Sequence, residues 1–327
     1  MSVTDGVVGR IRKKMYESDS RRIKGQTQPA GVDVAEYAYV NDGEPMHTLN
    51  VYRPAGNREK LPLVVDVHGG AWIYGDKELN RYYCMYLASK GYCVVGMSYR
   101  LVPETDLGGQ IADVFAAMNF VAEHADEFGC DTDGFMMTGD SAGGHLSSLA
   151  LCAMLDKELA LRCGVPVPEN MRASCLVMSH PVCEIHSVLL RKNLRPARFG
   201  RTFQRMFEKV MFGKKAKKHR LYAYSSFAEY AKNVTLPPVM VIGCERDIYA
   251  RHTLYLAGEL SHMVDAGRCG KFELDFVKEE EETRRLGHVY NIVRSEWKES
   301  ERVNDLSLAF FDECRAEYAK KSDCNEG

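Results

Sequence analysis

The sequence predicts an α/β protein: a mostly parallel sheet, eight strands wide, with helices on both faces and a helical insertion. Three observations predict it. Short continuous apolar runs recur along the 327 residues. Segments with apolar residues at helical spacing separate most of them. The alternation lapses once, over about residues 183–235, too long a gap for a plain crossover.

The elements follow in order. Two strands with polar edges come first, "VAEYAYV" and "HTLNVYRP". Then come the apolar runs "LPLVVDVHG", "GYCVVGMSYR", "GFMMTGD", "ASCLVMSHPV", "LPPVMVIGCERD" and "KFELDFVKE". Between and after them lie "LNRYYCMYLASK", "QIADVFAAMNFVAEHADEF", "AGGHLSSLALCAMLDKEL", "HTLYLAGELSHMV" and "VNDLSLAFFDECRAEYAKK", each amphipathic. Strand–helix alternation of this kind builds parallel sheets buried on both faces. Residues 1–327 read as one domain, with a cap inserted at about 183–235.

Composition excludes several classes. Hydrophobic residues make up 45% and charged residues 27%, and the net charge is −2. Nothing global points to nucleic acid or to a membrane surface. The start, "MSVTDGVVGRIRKKMY", lacks the apolar core of a secretory signal, and no apolar run is long enough for a spanning helix. Eleven cysteines form an odd set with no C-x-x-C pair. They read as reduced thiols in the cytoplasm, not as a disulfide framework or zinc site. Neither a metal nor a cofactor is expected.

The fifth strand runs into "GDSAGG", Gly139 to Gly144. This is G-x-S-x-G between a strand and a helix, where a sharp turn presents the central serine and demands small residues two positions away. Ser141 is the candidate nucleophile. A serine needs a base, and the base an orienting acid, in the chain order Ser, acid, His. Asp247 follows the seventh strand in "CERD", with Glu245 as the alternative acid. His288 follows Gly287 in the loop after the last strand and is the candidate base. His252 and His262 fall within the preceding helix and read as packed or exposed residues.

Such a site also needs backbone N–H groups to hold a developing oxyanion. "HGGAW" ends the third strand, so Gly69 and Gly70 are expected to supply donors together with Ala142 beside the nucleophile. His68 reads as a brace for that loop, and Tyr99 and Arg100 read as braces for the fold through hydrogen bonds. His145, Ser147 and Ser148 read as packing or capping residues on the helix after Ser141. Trp72 and Tyr74 could line the substrate pocket or belong to the core. His180 and His186 flank the start of the insertion and could face the site.

Taken jointly, "HGGAW", "YRLVPE", "GDSAGG", the Asp247 loop and "GHVY" resemble the hormone-sensitive-lipase-like esterases of the α/β-hydrolase superfamily over roughly residues 45–295. The resemblance implies that fold and serine-esterase chemistry without a cofactor. Ala71 stands where the family often has a third glycine. That resembles the branch of carboxylesterases, carbohydrate-ester (acetyl or feruloyl) esterases and arylformamidases. Short-chain or aryl esters are therefore expected, with an aryl amide as alternative. A non-catalytic binding protein on the same scaffold is the alternative from another class. Within the insertion, residues 191–220 carry twelve Lys and Arg against Glu208 alone. This is either a solvated face or a collar that favours an anionic ester or an acidic partner. The acidic run Glu279 to Glu282, with Thr283-Arg284-Arg285, lengthens the loop before His288 and could alter the pocket rim.

Overall fold

The structure, a computed structural model, describes residues 3–164, 166–187 and 198–325. The chain opens with a helix, α1 (Val3–Lys24), then β1 (Val32–Ala38), β2 (Thr48–Pro54) and β3 (Leu61–Val67). Next come α2 (Arg81–Ser89), β4 (Cys93–Met97), α3 (Leu107–Glu123), the short α4 (Ala125–Phe128) and β5 (Cys130–Asp140). The sequence continues with α5 (Ala142–Leu155), α6 (Lys157–Cys163), β6 (Arg172–Ser179), α7 (Arg198–Phe212) and α8 (Phe227–Tyr230). It closes with β7 (Val239–Cys244), α9 (Ala250–Asp265), β8 (Phe272–Val277), α10 (Tyr290–Val293) and α11 (Lys298–Asn325).

The eight strands form one sheet in the order β1-β2-β4-β3-β5-β6-β7-β8. The β1–β2 and β2–β4 pairs are antiparallel. Every other pair is parallel. Side chains that alternate along a strand point to opposite faces, and two cores result. Leu63, Val65 and Val67 of β3, with Val95 of β4 and Met137 of β5, join the first. Val64, Val94 and Met136 join the second. Edge strand β1 alternates between exposed and half-buried residues, as a strand with one solvated face should.

The helix α1 was not expected from the sequence. Its buried contribution is narrow: Val8 joins the first core, with Ile11 and Met15 packed against it. Those three positions, spaced by three and four residues, were the available signal. No helix among the described residues is long and apolar enough to cross a membrane.

Candidate active site

Ser141 sits between β5 and α5 with φ 51° and ψ −116°, a strained conformation for a residue with a side chain. Its neighbours explain how the turn closes. A Cβ on Gly139 would meet the Gly143 carbonyl oxygen at 2.5 Å, and one on Gly143 would collide with the carbonyl oxygen of Val67. The Ser141 N–H donates to Ser179 O at 3.0 Å, which ties the elbow to β6.

Two loops bring the partners. Beyond β7, both carboxylate oxygens of Asp247 lie 3.0 Å from His288 Nδ1. His288 Nε2 in turn lies 2.9 Å from Ser141 Oγ. The Tyr249 N–H donates to Asp247 Oδ1 at 2.8 Å and fixes the carboxylate. Burial pushes the Asp247 carboxyl up, but the hydrogen bond and charge of His288 outweigh it and hold it below the ordinary value.

The competing candidates sit elsewhere. Glu245 accepts the Glu279 N–H. His252 is buried within α9 and His262 is exposed on it. Arg246 pairs with Glu279 and Glu282, so the acidic run is drawn to that guanidinium and lines no part of the cavity at Ser141.

The glycine loop corrects one expectation. The Gly69 N–H, expected among the free donors, is already engaged: it donates to Asp140 Oδ1 at 2.8 Å. The reason is proximity: a Cβ on Gly69 would lie 2.5 Å from the other Asp140 oxygen, so only glycine lets the loop come down onto that carboxylate. Gly70 turns the chain with φ 116°, and its carbonyl accepts the N–H groups of Ile73 and Tyr74. Among the described residues nothing claims the N–H groups of Gly70, Ala71 or Ala142. His68 is buried and stacks on Tyr99 with ring centroids 4.4 Å apart. The Tyr99 hydroxyl donates to His68 O at 2.7 Å and so braces the loop, while Arg100 pairs with Asp113 of α3 and braces the fold there.

A cavity of about 440 Å³ opens on Ser141 and His288. Trp72 and Tyr74 both line it. Trp72 also donates to His145 Nδ1 at 3.3 Å, so it is core and wall at once. His180 does not line it. It lies buried behind His288, edge-on to that ring at 5.9 Å and to Tyr290 at 5.4 Å, just beyond the end of strand β6. His186 is held by Tyr222 O at 3.0 Å and stays off the cavity.

Opposite Trp72, α7 supplies Met206, Phe207 and Val210, and α1 supplies Val8, Ile11 and Met15 with the Asp19–Arg22 pair. Arg191, Lys192 and Arg195 lie outside the described residues, as do the side chains of Arg198 and Arg201. Of the described basic residues from Arg205 to Arg220, none lines the cavity. Among the described residues no group of three or more His, Cys, Asp or Glu is placed to hold a metal ion.

A parallel sheet with a strained serine at the carboxyl end of its central strand, and a His–Asp pair arriving from two later loops, defines an α/β-hydrolase. The chain belongs to the BD-FAE family, whose family model matches residues 49–253. It is similar over its whole length to esterase B from Lactobacillus rhamnosis, solved with a C6-C4 SN3 inhibitor bound. The two share 32% identity over 99% of each chain, with a TM-score of 0.86. A bacterial heroin esterase, at 20% identity and a TM-score of 0.69 over 94% of this chain and 92% of that one, shares the fold. Isoprenylcysteine alpha-carbonyl methylesterase ICME of Arabidopsis thaliana is 34% identical over 116 residues, 36% of this chain and 27% of the relative. The chain thus spans about a quarter of the length of the first curated relatives it matches.

Proposed function

We propose that this protein is a serine carboxylesterase acting on short-chain or aryl esters. The observation that carries the reading is the unbroken line from Asp247 through His288 to Ser141, with gaps of 3.0 and 2.9 Å, opening on an apolar cavity. His288, oriented by Asp247, takes the proton of Ser141 as its oxygen attacks the ester carbonyl. The N–H groups of Gly70 and Ala142 hold the oxyanion. Imidazolium then protonates the departing alkoxide, and water repeats the sequence to release the acid. Every proton and electron pair in this route is accounted for by these side chains and water.

Substrate size follows from the walls. Trp72, Phe207, Met15 and Ile11 leave room for a modest apolar group. The related esterase B has been solved with a C4-C4 tributyrin phosphonate. Paired as it is with Asp19, Arg22 offers no net charge to an anionic ester. Helix α7 of the insertion acts as a cap together with α1. A cytoplasmic location fits the ten described cysteines, all buried and free of disulfides.

Initial hydrolysis rates for p-nitrophenyl acetate, butyrate and octanoate test the reading, with Ser141→Ala as control. Turnover lost in the variant and highest on the two shorter esters supports it. Higher rates on octanoate contradict the substrate class, and no turnover on any ester by the folded protein contradicts the activity.

A further inference from the structure

Behind the glycine loop lies a buried polar chain that the reaction scheme does not use. Asp66 sits on β3 between Val65 and Val67. It faces the side of Val64 and Val94, where strand alternation calls for an apolar residue. Its carboxyl is buried. Asn80, just before α2, is buried as well and borders the cavity. Its amide nitrogen donates to Asp66 Oδ2 at 2.9 Å and to Asp140 Oδ1 at 2.8 Å. That same Asp140 oxygen receives the Gly69 N–H at 2.8 Å. Asp140 directly precedes Ser141. The chain of hydrogen bonds therefore runs from Asp66 through Asn80 and Asp140 to the first glycine of the loop.

We propose that Asn80 and Asp66 are positioning residues for acyl transfer, holding the Asp140 carboxylate against the Gly69 N–H and so fixing where the next N–H, that of Gly70, points. The inference rests on the esterase reading above. An amide has two hydrogens on its nitrogen, and Asn80 spends one on each carboxyl. Without it, two buried acids would face each other with nothing between them, and the loop would lose its anchor.

The pair also carries a charge constraint. Two carboxyls joined through one nitrogen cannot both ionise cheaply in a buried site. Burial first, and the Asp140 charge second, push the Asp66 carboxyl up to about 8. Burial also raises Asp140, against the opposing hydrogen bonds from Asn80 and Gly69. The other titratable groups facing Asp66 are Tyr83 and Cys84 of α2 and Tyr99 beyond β4. Burial pushes each of those three upward, so they stay neutral where Asp66 titrates. When Asp66 loses its proton, a second negative charge appears behind the donors that must hold an oxyanion. Charge there opposes the transition state more than the uncharged substrate, so turnover falls while binding changes little.

The test measures kcat and KM separately for methyl butyrate in a pH-stat, from about pH 6 to about pH 10. The proteins are the wild type, Asn80→Ala and Asp66→Asn, each checked for a cooperative thermal transition. Asn80→Ala is expected to lose on the order of tenfold or more in kcat with KM within about threefold. Wild-type kcat is expected to decline above about pH 8, and Asp66→Asn to move that decline up by about one pH unit or more. An Asn80→Ala enzyme with wild-type kcat, or an Asp66→Asn pH profile superimposable on the wild type, overturns the proposal. Absence of turnover in the wild type itself would instead overturn the esterase reading, so the two failures are told apart.

Discussion

Arg12, midway along α1, donates from Nε to the carbonyl oxygen of Ile73 at 2.5 Å, and so ties the amino-terminal helix to the loop that carries Gly70. Its Nη2 reaches Val102 O at 3.0 Å, and the guanidinium pairs with Glu104. Beyond the end of the same helix, Gln26 donates to Val293 O at 3.0 Å, at the close of the short helix after His288. The helix thus spans from the glycine loop to the segment after His288, with Val8, Ile11 and Met15 turned to the cavity between.

Arg12→Ala removes a charged donor from two carbonyl groups. The expected cost is about 1–3 kcal/mol of stability, read from urea unfolding. A rise in KM for butyrate esters should accompany it as the wall loosens. An unchanged KM would separate α1 from substrate binding.

Met15 lies on the wall that α1 presents to the cavity. Met15→Trp fills part of about 440 Å³ and should lower the octanoate-to-acetate rate ratio, with acetate turnover largely kept. Competing p-nitrophenyl esters in one assay reads the ratio directly.

Gly69→Ala places a Cβ 2.5 Å from an Asp140 oxygen. The loop must lift from its anchor, and kcat should fall by about 100- to 1000-fold, the usual cost of a misplaced oxyanion donor. Circular dichroism should show the fold retained. Wild-type turnover in this variant would mean that the anchor is dispensable.

His219, in the insertion, reaches Asp106 at 3.0 Å; Asp106 also caps α3 through the Gly109 N–H. The His219 hydrogen bond, opposed by partial burial, holds the Asp106 carboxyl down at about 2. A carboxyl depressed below its unfolded value of about 3.9 stabilises the fold fully above that value. The contribution is lost as pH falls from about 4 through about 2. Asp106→Asn should therefore be less stable than wild type at neutral pH, with the difference shrinking across that acid window. Urea midpoints at several pH values measure it.

Much of this architecture is legible in the sequence, for physical reasons. Buried parallel strands such as Leu61–Val67 must be apolar on both faces, so they stand out as unbroken runs. Ser141 is visible because its elbow admits only small residues at Gly139 and Gly143. Asp247 and His288 are placed by chain order and by the strand ends before them. Helix α1 escaped because, among its described residues, Val8 is the one buried apolar side chain, with Ile11 and Met15 half-buried against the core and many charged residues around them, and its value depends on the cavity it covers. That the Gly69 N–H is already taken was also hidden. That is decided by the Asp140 side chain, 71 residues away in sequence. His180 illustrates the same limit: its position beside the insertion suggested the cavity, and packing put it behind His288.

The central claim is that Ser141, activated by His288, is the nucleophile. Intact mass and peptide mapping after incubation with a fluorophosphonate probe test it most directly. The expected result is a single adduct on the Ser141 peptide, absent in Ser141→Ala and formed far more slowly in His288→Ala. A folded protein that takes up no probe, or takes it up on another residue, would contradict it.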